Sequence, residues 1–392
     1  MSDLATAPRL GISPRTRKSP FFEATRRSGA TTYYIYNHMY LPSGYADPVE
    51  DYWRLVEDVT LWDVSVERQV EITGPDAARF TQYLTPRNLA KCAVGQCKYV
   101  LITAEDGGIV NDPVLLRLGE NHFWLSTSDS DVLLWARGVA LHSGMDVRIC
   151  EPDVSPVQVQ GPKSPDLLRD LFGDWVTELR YYWFREAELD GMPVVVARTG
   201  WTALLGYEIY LRDGHYGEQL WETILKAGKP YNIAPTGPSS FRRVEAGILN
   251  YGTDMSLEEN PYEVGLGRLV ELDHDADFVG REALSKIAAE GPKRCLVGVE
   301  IDGDPLPGYY NEHPWPLLGL PEMPGRLSNK VTSCVHSPQL KQNIGMAMVP
   351  AEHTQVGIKL TVATPDGERQ ATVVPMPFID PHKKTPSQNL HP

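Results

Sequence analysis

Two carboxylates stand where they could act on a bound molecule. Glu208 lies on a predicted strand over residues 207–211, and Asp112 follows a predicted hairpin. A carboxylate can accept two charge-assisted hydrogen bonds side by side, or take a proton from a reacting group. Both also have structural interpretations, because Glu208 could be a solvated residue of an alternating strand and Asp112 could satisfy a strand end beside Pro113.

Three further side chains are candidates with ordinary alternatives. Arg243 lies on a predicted helix over residues 241–250, where it could pair with Glu245 or Asp254. Glu67 could attract a cationic ligand or pair with a neighbouring arginine. A lone histidine such as His38 is more often structural than catalytic.

Aromatic side chains could form flat, apolar walls around a ligand. They are Tyr99, Trp201 and the run Tyr181, Tyr182, Trp183 and Phe184. Core packing is the alternative for any one of them.

The sequence predicts no metal site. Asp273, His274, Asp275 and Asp277 are close together, but their spacing lacks the glycine and distal glutamate of a calcium loop. The five cysteines are scattered, which argues against zinc ligation and a disulfide framework.

The acidic charge balance argues against a nucleic-acid partner, and the short aliphatic runs exclude a membrane span. Fifty-one acidic residues against 37 basic ones give a net charge of −14, whereas phosphate binding requires clustered positive charge. The longest aliphatic run is about four residues, far below the roughly 20 needed to cross a bilayer. A polar, basic N-terminus without the apolar core of a secretory signal leaves the cytoplasm as the expected location.

The order of elements predicts an α+β fold with two similar units. Residues 70–84 and 157–172 share one layout, an alternating strand, a Gly-Pro pair and an amphipathic helix. We interpret this as a weak internal duplication that builds one bilobal body.

Composition divides the chain into four parts. We expect an N-terminal arm over 1–32, a bilobal catalytic body over 33–290, a β domain over 291–380 and a loose tail over 381–392. Within the β domain, the Pro-rich stretch 305–324 is expected to be a long surface loop.

Ordered motifs resemble the folate-dependent aminomethyltransferase family, the T-protein of glycine cleavage and its relatives. They are Trp62-Asp63-Val64-Ser65, Gly107-Gly108-Ile109-Val110-Asn111-Asp112, Arg198-Thr199-Gly200-Trp201, Gly206-Tyr207-Glu208-Ile209, Arg243-Val244-Glu245-Ala246-Gly247 and Ile344-Gly345-Met346-Ala347. The resemblance implies a folate-binding aminomethyltransferase-like body and a C-terminal β-barrel-like domain.

The same resemblance implies an enzyme that uses tetrahydrofolate. Glu208 would hold the amino edge of the pterin, and Asp112 would accept a proton or orient the folate. Further folate contacts are expected from Tyr99, Trp201, Arg243 and Ser128.

Within the family, the resemblance is greatest to tetrahydrofolate-dependent demethylases that act on dimethylsulfoniopropionate. It rests on Ile35-Tyr36-Asn37-His38-Met39, on Glu67-Arg68-Gln69 and on Asp129-Ser130-Asp131-Val132. Those relatives usually have a polar, cationic loop where this chain has Thr202-Ala203-Leu204-Leu205-Gly206.

Two methyl donors, both small acids, are therefore considered. A sulfonium follows from the demethylase motifs. A methoxy-aromatic acid, slightly favoured, follows from the apolar slot expected from Leu204 and Leu205, with His38 or an arginine as the acid for the leaving phenolate. The donor pocket is predicted to contain Tyr36, His38, Glu67, Trp183, Leu204 and Leu205.

Two other functions are weighed. A folate-binding protein without transfer activity would need the reactive-cysteine motif of its relatives, and Gly95-Gln96-Cys97-Lys98-Tyr99 lacks that order. Aminomethyl transfer is disfavoured because Asn111 replaces a second acid. The sequence does not determine the oligomeric state.

Overall fold

The structure is a computed structural model that describes residues 11–306 and 311–390 of the 392. The α-helices are α1 (Phe22–Arg27), α2 (Pro48–Glu57), α3 (Ala77–Leu84), α4 (Val132–Ser143), α5 (Ser164–Phe172), α6 (Trp175–Glu178), α7 (Gly217–Gly228), α8 (Ser240–Glu245), α9 (Arg281–Glu290) and α10 (Lys384–Ser387). The strands are β1 (Thr32–Tyr36), β2 (Met39–Gly44), β3 (Thr60–Asp63), β4 (Gln69–Thr73), β5 (Cys97–Tyr99), β6 (Ile102–Thr103), β7 (Ile109–Asn111), β8 (Val114–Gly119), β9 (His122–Ser126), β10 (Arg148–Cys150), β11 (Ser155–Gln160), β12 (Phe184–Leu189), β13 (Met192–Ala197), β14 (Gly206–Leu211), β15 (Ala234–Pro235), β16 (Arg294–Ile301), β17 (Trp315–Leu318), β18 (Lys330–His336), β19 (Asn343–Pro350), β20 (Lys359–Thr364) and β21 (Gly367–Val374).

The first lobe is a five-stranded antiparallel sheet in the order β10-β4-β9-β8-β5. Strands β4 and β9 alternate, so that Val70, Ile72, Phe123 and Leu125 pack in one core with α3 and α4. The opposite face of the sheet is turned toward the second lobe.

The second lobe is a six-stranded sheet in the order β12-β13-β14-β11-β3-β15. Val157 and Val159 of β11 and Tyr207 and Ile209 of β14 form a core with α5 and α7. An apolar cluster that includes Trp124 of the first sheet and Tyr210 of the second joins the inner faces of the lobes.

The predicted duplication is present, with an exchange of strands. Strand β3 precedes the first unit but pairs with β11, and β10 precedes the second unit but pairs with β4. The glycines of the two Gly-Pro pairs have φ of 120° and 130°. A Cβ at Gly74 would lie 2.7 Å from the carbonyl oxygen of Asp146, and one at Gly161 would lie 2.5 Å from that of Asp58. Each glycine therefore lets the incoming strand of the other unit pass closely.

The C-terminal part forms a closed barrel, β16-β19-β18-β17-β20-β21, which confirms the predicted fold class. The stretch 305–324 was predicted to be a long surface loop. It is not simply a loop, because β17 lies within it. Trp315 and Leu317 face the barrel core and alternate with exposed neighbours. The prolines around them conceal this alternation in the sequence, and residues 307–310 lie outside the described part.

Two further sequence predictions were wrong. The helix predicted over 241–250 ends at Glu245, because Gly247 adopts φ of +61°. The tail is not loose: Arg198 donates from Nη2 to the carbonyl oxygens of Pro386 and Gln388, at 3.0 and 2.6 Å.

The N-terminal segment also docks on the body. Phe21 is fully buried and packs in the second-lobe core, with its ring 6.1 Å from that of Trp221. The first ten residues of the predicted arm, including Arg9, and residues 391–392 of the tail lie outside the described part. Within that part, no helix is long and apolar enough to span a bilayer.

Candidate functional site

A cavity of about 260 Å³ lies between the lobes and reaches the segment after α8. Its wall contains eight aromatic residues, three acids and three bases. They are Tyr34, Tyr36, Trp62, Tyr99, Tyr181, Tyr182, Trp201 and Tyr251; Glu67, Asp112 and Glu208; and Arg243, Arg268 and Lys383. Aromatic walls with a few convergent polar groups are typical of small-molecule sites.

The second lobe presents a row of side chains across three strands. Trp62, Gln158 and Glu208 are directly opposite one another on β3, β11 and β14, and all three line the cavity. Because side chains alternate along a strand, the apolar neighbours of Gln158 and Glu208 face the helices while these two face the cavity.

Glu208 is buried and held by three donors. Gln158 Nε2 donates to it at 2.7 Å, Tyr210 Oη donates at 2.8 Å, and the hydroxyl of Thr199 donates as well. Burial raises the pKa of this carboxyl, and the three hydrogen bonds oppose that rise. The predicted alternative, a solvated glutamate, does not describe its position.

Asp112 lies across the cavity in a second fixed arrangement. Tyr99 Oη donates to its Oδ2 at 2.9 Å and Ser128 Oγ donates to its Oδ1 at 2.5 Å. Burial raises the pKa of Asp112 to about 6, against the opposing effect of these two hydrogen bonds. Asn111 does not line the cavity, but its Nδ2 donates to the carbonyl oxygen of Ser128 at 2.9 Å.

Glu67 and Tyr36 line the same cavity. Burial and the nearby charge of Glu208 raise the pKa of Glu67 well above its ordinary value. Ser126 Oγ donates to this carboxyl at 3.1 Å. Glu67 therefore does not pair with Arg68, which instead binds Glu151.

Arg243 lines the cavity beside Trp201 and is held by partners behind the wall. Its guanidinium donates to Asp254 Oδ2 at 2.7 Å and to Ser333 Oγ at 2.7 Å, and it lies 5.9 Å from the ring of Trp201. The arginine thus connects the barrel to Trp201.

Arg268 and Lys383 add positive charge to the cavity wall. The role of Arg268 was unexplained by the sequence, and Lys383 belongs to the tail that was predicted to be loose. Desolvation of the ammonium group and the charge of Arg268 lower the pKa of Lys383, which is an exposed residue at the cavity. These bases can receive the carboxylates of bound molecules.

The structure corrects two predicted site residues. His38 is exposed, does not line the cavity, and lies in the β1–β2 turn with Nε2 3.2 Å from Asp131 Oδ1. Trp183 also lies outside the cavity wall, where Arg180 stacks on it, whereas its neighbours Tyr181 and Tyr182 line the wall.

The apolar slot expected from Leu204 and Leu205 is absent from the cavity wall in the described structure. Leu204 packs against the cluster of Leu55, Trp62 and Val64, and Leu205 is buried away from the cavity. Only Ala203 of this loop lines the cavity, because the leucines complete the packing behind it.

The sequence reasoning missed Gln158 and Lys383, as well as the wall residues Tyr34 and Tyr251. The alternation Val157-Gln158-Val159-Gln160 on a fully buried strand is a usable signal, because buried amides require partners. Lys383 has no comparable local signal. Within the described residues, no group of three or more His, Cys, Asp or Glu side chains could hold a metal ion.

Comparison with protein-family models assigns the chain to a family. Residues 21–274 match the GCVT N-terminal domain, and residues 294–380 match the glycine cleavage T-protein C-terminal barrel domain. The chain belongs to the glycine cleavage T-protein family. Membership confirms the predicted enzyme class, a one-carbon transferase that uses tetrahydrofolate.

Individual relatives of this T-protein-family chain cover almost its whole length. It is 39% identical to dimethylsulfoniopropionate demethylase DmdA of Ruegeria pomeroyi, over 92% of this chain and 97% of that protein. It is 31% identical to an aminomethyltransferase of Desulfitobacterium hafniense, over 92% and 98%. Aminomethyltransferase T from Bartonella henselae has the same fold, with a TM-score of 0.80 at 22% identity, over 93% of this chain and 98% of that one.

These findings correct the expected methyl donor. The preference for a methoxy-aromatic acid depended on Leu204 and Leu205 in the pocket and on His38 as a proton donor. None of the three lines the cavity, and the relatives of this family member include a sulfonium demethylase. The methoxy-aromatic donor is therefore not supported.

Proposed function

We propose that this enzyme transfers a methyl group from a small sulfonium acid of the dimethylsulfoniopropionate type to N5 of tetrahydrofolate. The observation that carries the proposal is the cavity wall, which combines three acidic side chains with tyrosines and tryptophans. Aromatic faces attract cations, and carboxylates in a poorly solvated site do so strongly. Such a wall suits a sulfonium.

The buried carboxylate of Glu208 suits the pterin. Its three donors fix its orientation, so that it can accept the neighbouring N–H groups of the amino edge of the ring. The unpaired side-chain oxygen of Gln158 beside it supports the fit, because it is a second acceptor for a ring rich in donors. When bound, tetrahydrofolate supplies the nucleophile.

Asp112 is placed to manage the proton. The bond from the methyl carbon to sulfur breaks as the bond to N5 forms, and N5 then loses its hydrogen as a proton. A carboxylate held by Tyr99 and Ser128 can accept it. The products are 5-methyltetrahydrofolate and a methylthio acid.

The leaving group explains why a histidine is not required in the cavity. Sulfur departs from a sulfonium as a neutral thioether and needs no proton. The position of His38 outside the cavity fits this requirement. Catalysis then consists mainly of holding the two reactants in line and excluding water, which can lower a barrier by several kcal/mol.

Arg268 and Lys383 would bind carboxylates. Tetrahydrofolate and the sulfonium acid both carry them, and the same wall also contains three acids. Positive charge on one part of the wall and negative charge on another would orient a zwitterionic donor.

The test is a donor panel with the purified protein and tetrahydrofolate. We expect 5-methyltetrahydrofolate and methylthiopropionate to form in equal amounts from dimethylsulfoniopropionate, and no methyl transfer from methoxybenzoates. Reactions without donor are the control. Methyl transfer from a methoxybenzoate, or none from any sulfonium, would contradict the proposal.

A further inference from the structure

We infer that Gln158 is a further binding residue: its side-chain oxygen accepts a hydrogen bond from a ring N–H of the reduced pteridine that Glu208 does not take. The inference rests on the proposed function, since it assumes that the pterin lies against Glu208. It assigns a role to a residue that lies outside the motifs shared with the family.

The position of Gln158 favours a ligand contact. It lies on β11 between Trp62 and Glu208, lines the cavity, and is 1% exposed. Water at the protein surface therefore cannot satisfy its amide.

The orientation of the amide is fixed by its neighbours. Nε2 donates to Glu208 Oε1 at 2.7 Å and lies 3.4 Å from Glu67 Oε1. Exchanging oxygen and nitrogen would place the amide oxygen against the Glu208 carboxylate, where neither atom is a donor. Oε1 is therefore the free end, and it has no hydrogen-bond partner among the described residues.

A buried carbonyl without a partner is unfavourable, and a ligand donor would satisfy it. After Glu208 accepts one amino hydrogen and N3–H, a tetrahydropterin retains a second amino hydrogen and N8–H along the same edge. The amino hydrogen is next to the position of the carboxylate, and N8–H lies beyond the ring nitrogen N1 on that side. Folic acid retains the amino hydrogen but carries no hydrogen on N8.

Gln69 provides a matched control. It is also fully buried with an unpaired Oε1, lies on β4 of the first lobe, and donates from Nε2 to Ser126 Oγ at 2.9 Å. It does not line the cavity. Replacing it therefore tests the general effect of removing a buried glutamine.

The experiment is calorimetric titration of wild type, Gln158→Met and Gln69→Met with tetrahydrofolate and with folic acid, under anaerobic conditions. We expect Gln158→Met to weaken tetrahydrofolate binding about tenfold, the effect of losing one hydrogen bond between buried groups, and Gln69→Met to leave it unchanged. A loss confined to tetrahydrofolate identifies N8–H as the donor, and a loss for both ligands identifies the amino group. Unchanged binding by Gln158→Met, or an equal loss in both variants, would overturn the inference.

A ligand series covers the case in which Gln158→Met does not fold. Wild type would then be titrated with tetrahydrofolate, its 8-deaza analogue and its 2-methylamino analogue, each of which lacks one of the two hydrogens. We expect one analogue to bind about tenfold more weakly, and equal affinities for all three would overturn the inference. Failure of wild type to bind tetrahydrofolate would instead contradict the proposed function.

Discussion

The surroundings of Asp112 shift its pKa toward the value that suits its proposed role as a proton acceptor. A carboxylate in water is ionised far below neutral pH, whereas burial raises the pKa of Asp112 to about 6. The hydroxyls of Tyr99 and Ser128 keep the ionised form accessible. A group with a pKa near the working pH can both accept and release a proton efficiently.

Protonation of Asp112 should therefore reduce activity at acidic pH. We expect kcat/KM to be constant well above pH 6 and to fall tenfold per pH unit below it, because the protonated acid cannot accept the proton of N5. The measurement is the pH dependence of 5-methyltetrahydrofolate formation by the wild type and by Asp112→Asn. The variant should be at least about 100-fold slower, the usual effect of losing a positioned base, and should lack this limit.

Stability supplies the control for Asp112. A raised pKa in the folded state means that the folded protein binds this proton more tightly than the unfolded chain does. The ionised carboxyl therefore costs stability above pH 6, and the cost disappears as the pH falls toward the unfolded pKa. Asp112→Asn should raise stability at pH 7 by about 1–3 kcal/mol, seen as a higher melting temperature. A slower and less stable variant would indicate a structural role instead.

At the scale of elements, alternation along strands made the sequence informative. The Gly-Pro pairs at residues 74 and 161 correctly located strands and helices, because their backbone requirements are local. Glu208 and Asp112 were found through motifs that lie on such elements. Local patterns thus predicted the fold class, and the family motifs indicated several residues of the cavity wall.

Structural features that depend on contacts between distant parts of the chain could not be predicted from the sequence. The crossing of β3 and β10 between sheets is decided by which edge is free in the assembled body. His38 was misplaced because a motif gives the neighbourhood of a side chain but not its direction. Leu204 and Leu205 are apolar because they pack behind the cavity, and composition alone cannot distinguish a cavity wall from the layer behind it.

The docked tail leads to a prediction about Lys383. Arg198 holds the backbone of Pro386 and Gln388, so that Lys383 is presented beside Arg268 at the cavity. We expect Lys383→Gln to lower kcat/KM about tenfold, because a carboxylate of a reactant loses a charged partner. Steady-state kinetics measures this loss, and it should diminish at high ionic strength.

The adjacent Lys384 is the matched control for this experiment. It is exposed in α10 and does not line the cavity, so Lys384→Gln should retain wild-type kinetics. Equal kinetics for both variants would show that the tail does not contribute to the site.

At the scale of the whole molecule, the barrel supports the cavity through a buried network. Asp254 is fully buried and accepts hydrogen bonds from Arg243 of α8 and from Thr332 and Ser333 of β18. Arg243 lies in turn against Trp201 of the cavity wall. The barrel therefore helps to fix a wall of the site.

Asp254→Ala should reveal this support. Removing the acid leaves Arg243 buried without its charge partner, which costs about 3–5 kcal/mol. Denaturant unfolding measures the loss, with the exposed Asp275→Ala as a control that should change stability by less than about 0.5 kcal/mol. An unchanged free energy of unfolding for Asp254→Ala would show that the network is dispensable.

The central claim is that tetrahydrofolate binds between the lobes with its amino edge on Glu208. The most direct test is calorimetric titration of tetrahydrofolate into wild type, Glu208→Ala and Glu188→Ala, the last an exposed glutamate on strand β12 of the same sheet. We predict that Glu208→Ala weakens binding at least about 100-fold, since two charge-assisted hydrogen bonds are lost, while its circular dichroism spectrum and the affinity of Glu188→Ala remain those of wild type. Unchanged affinity for tetrahydrofolate in a folded Glu208→Ala protein would contradict the account.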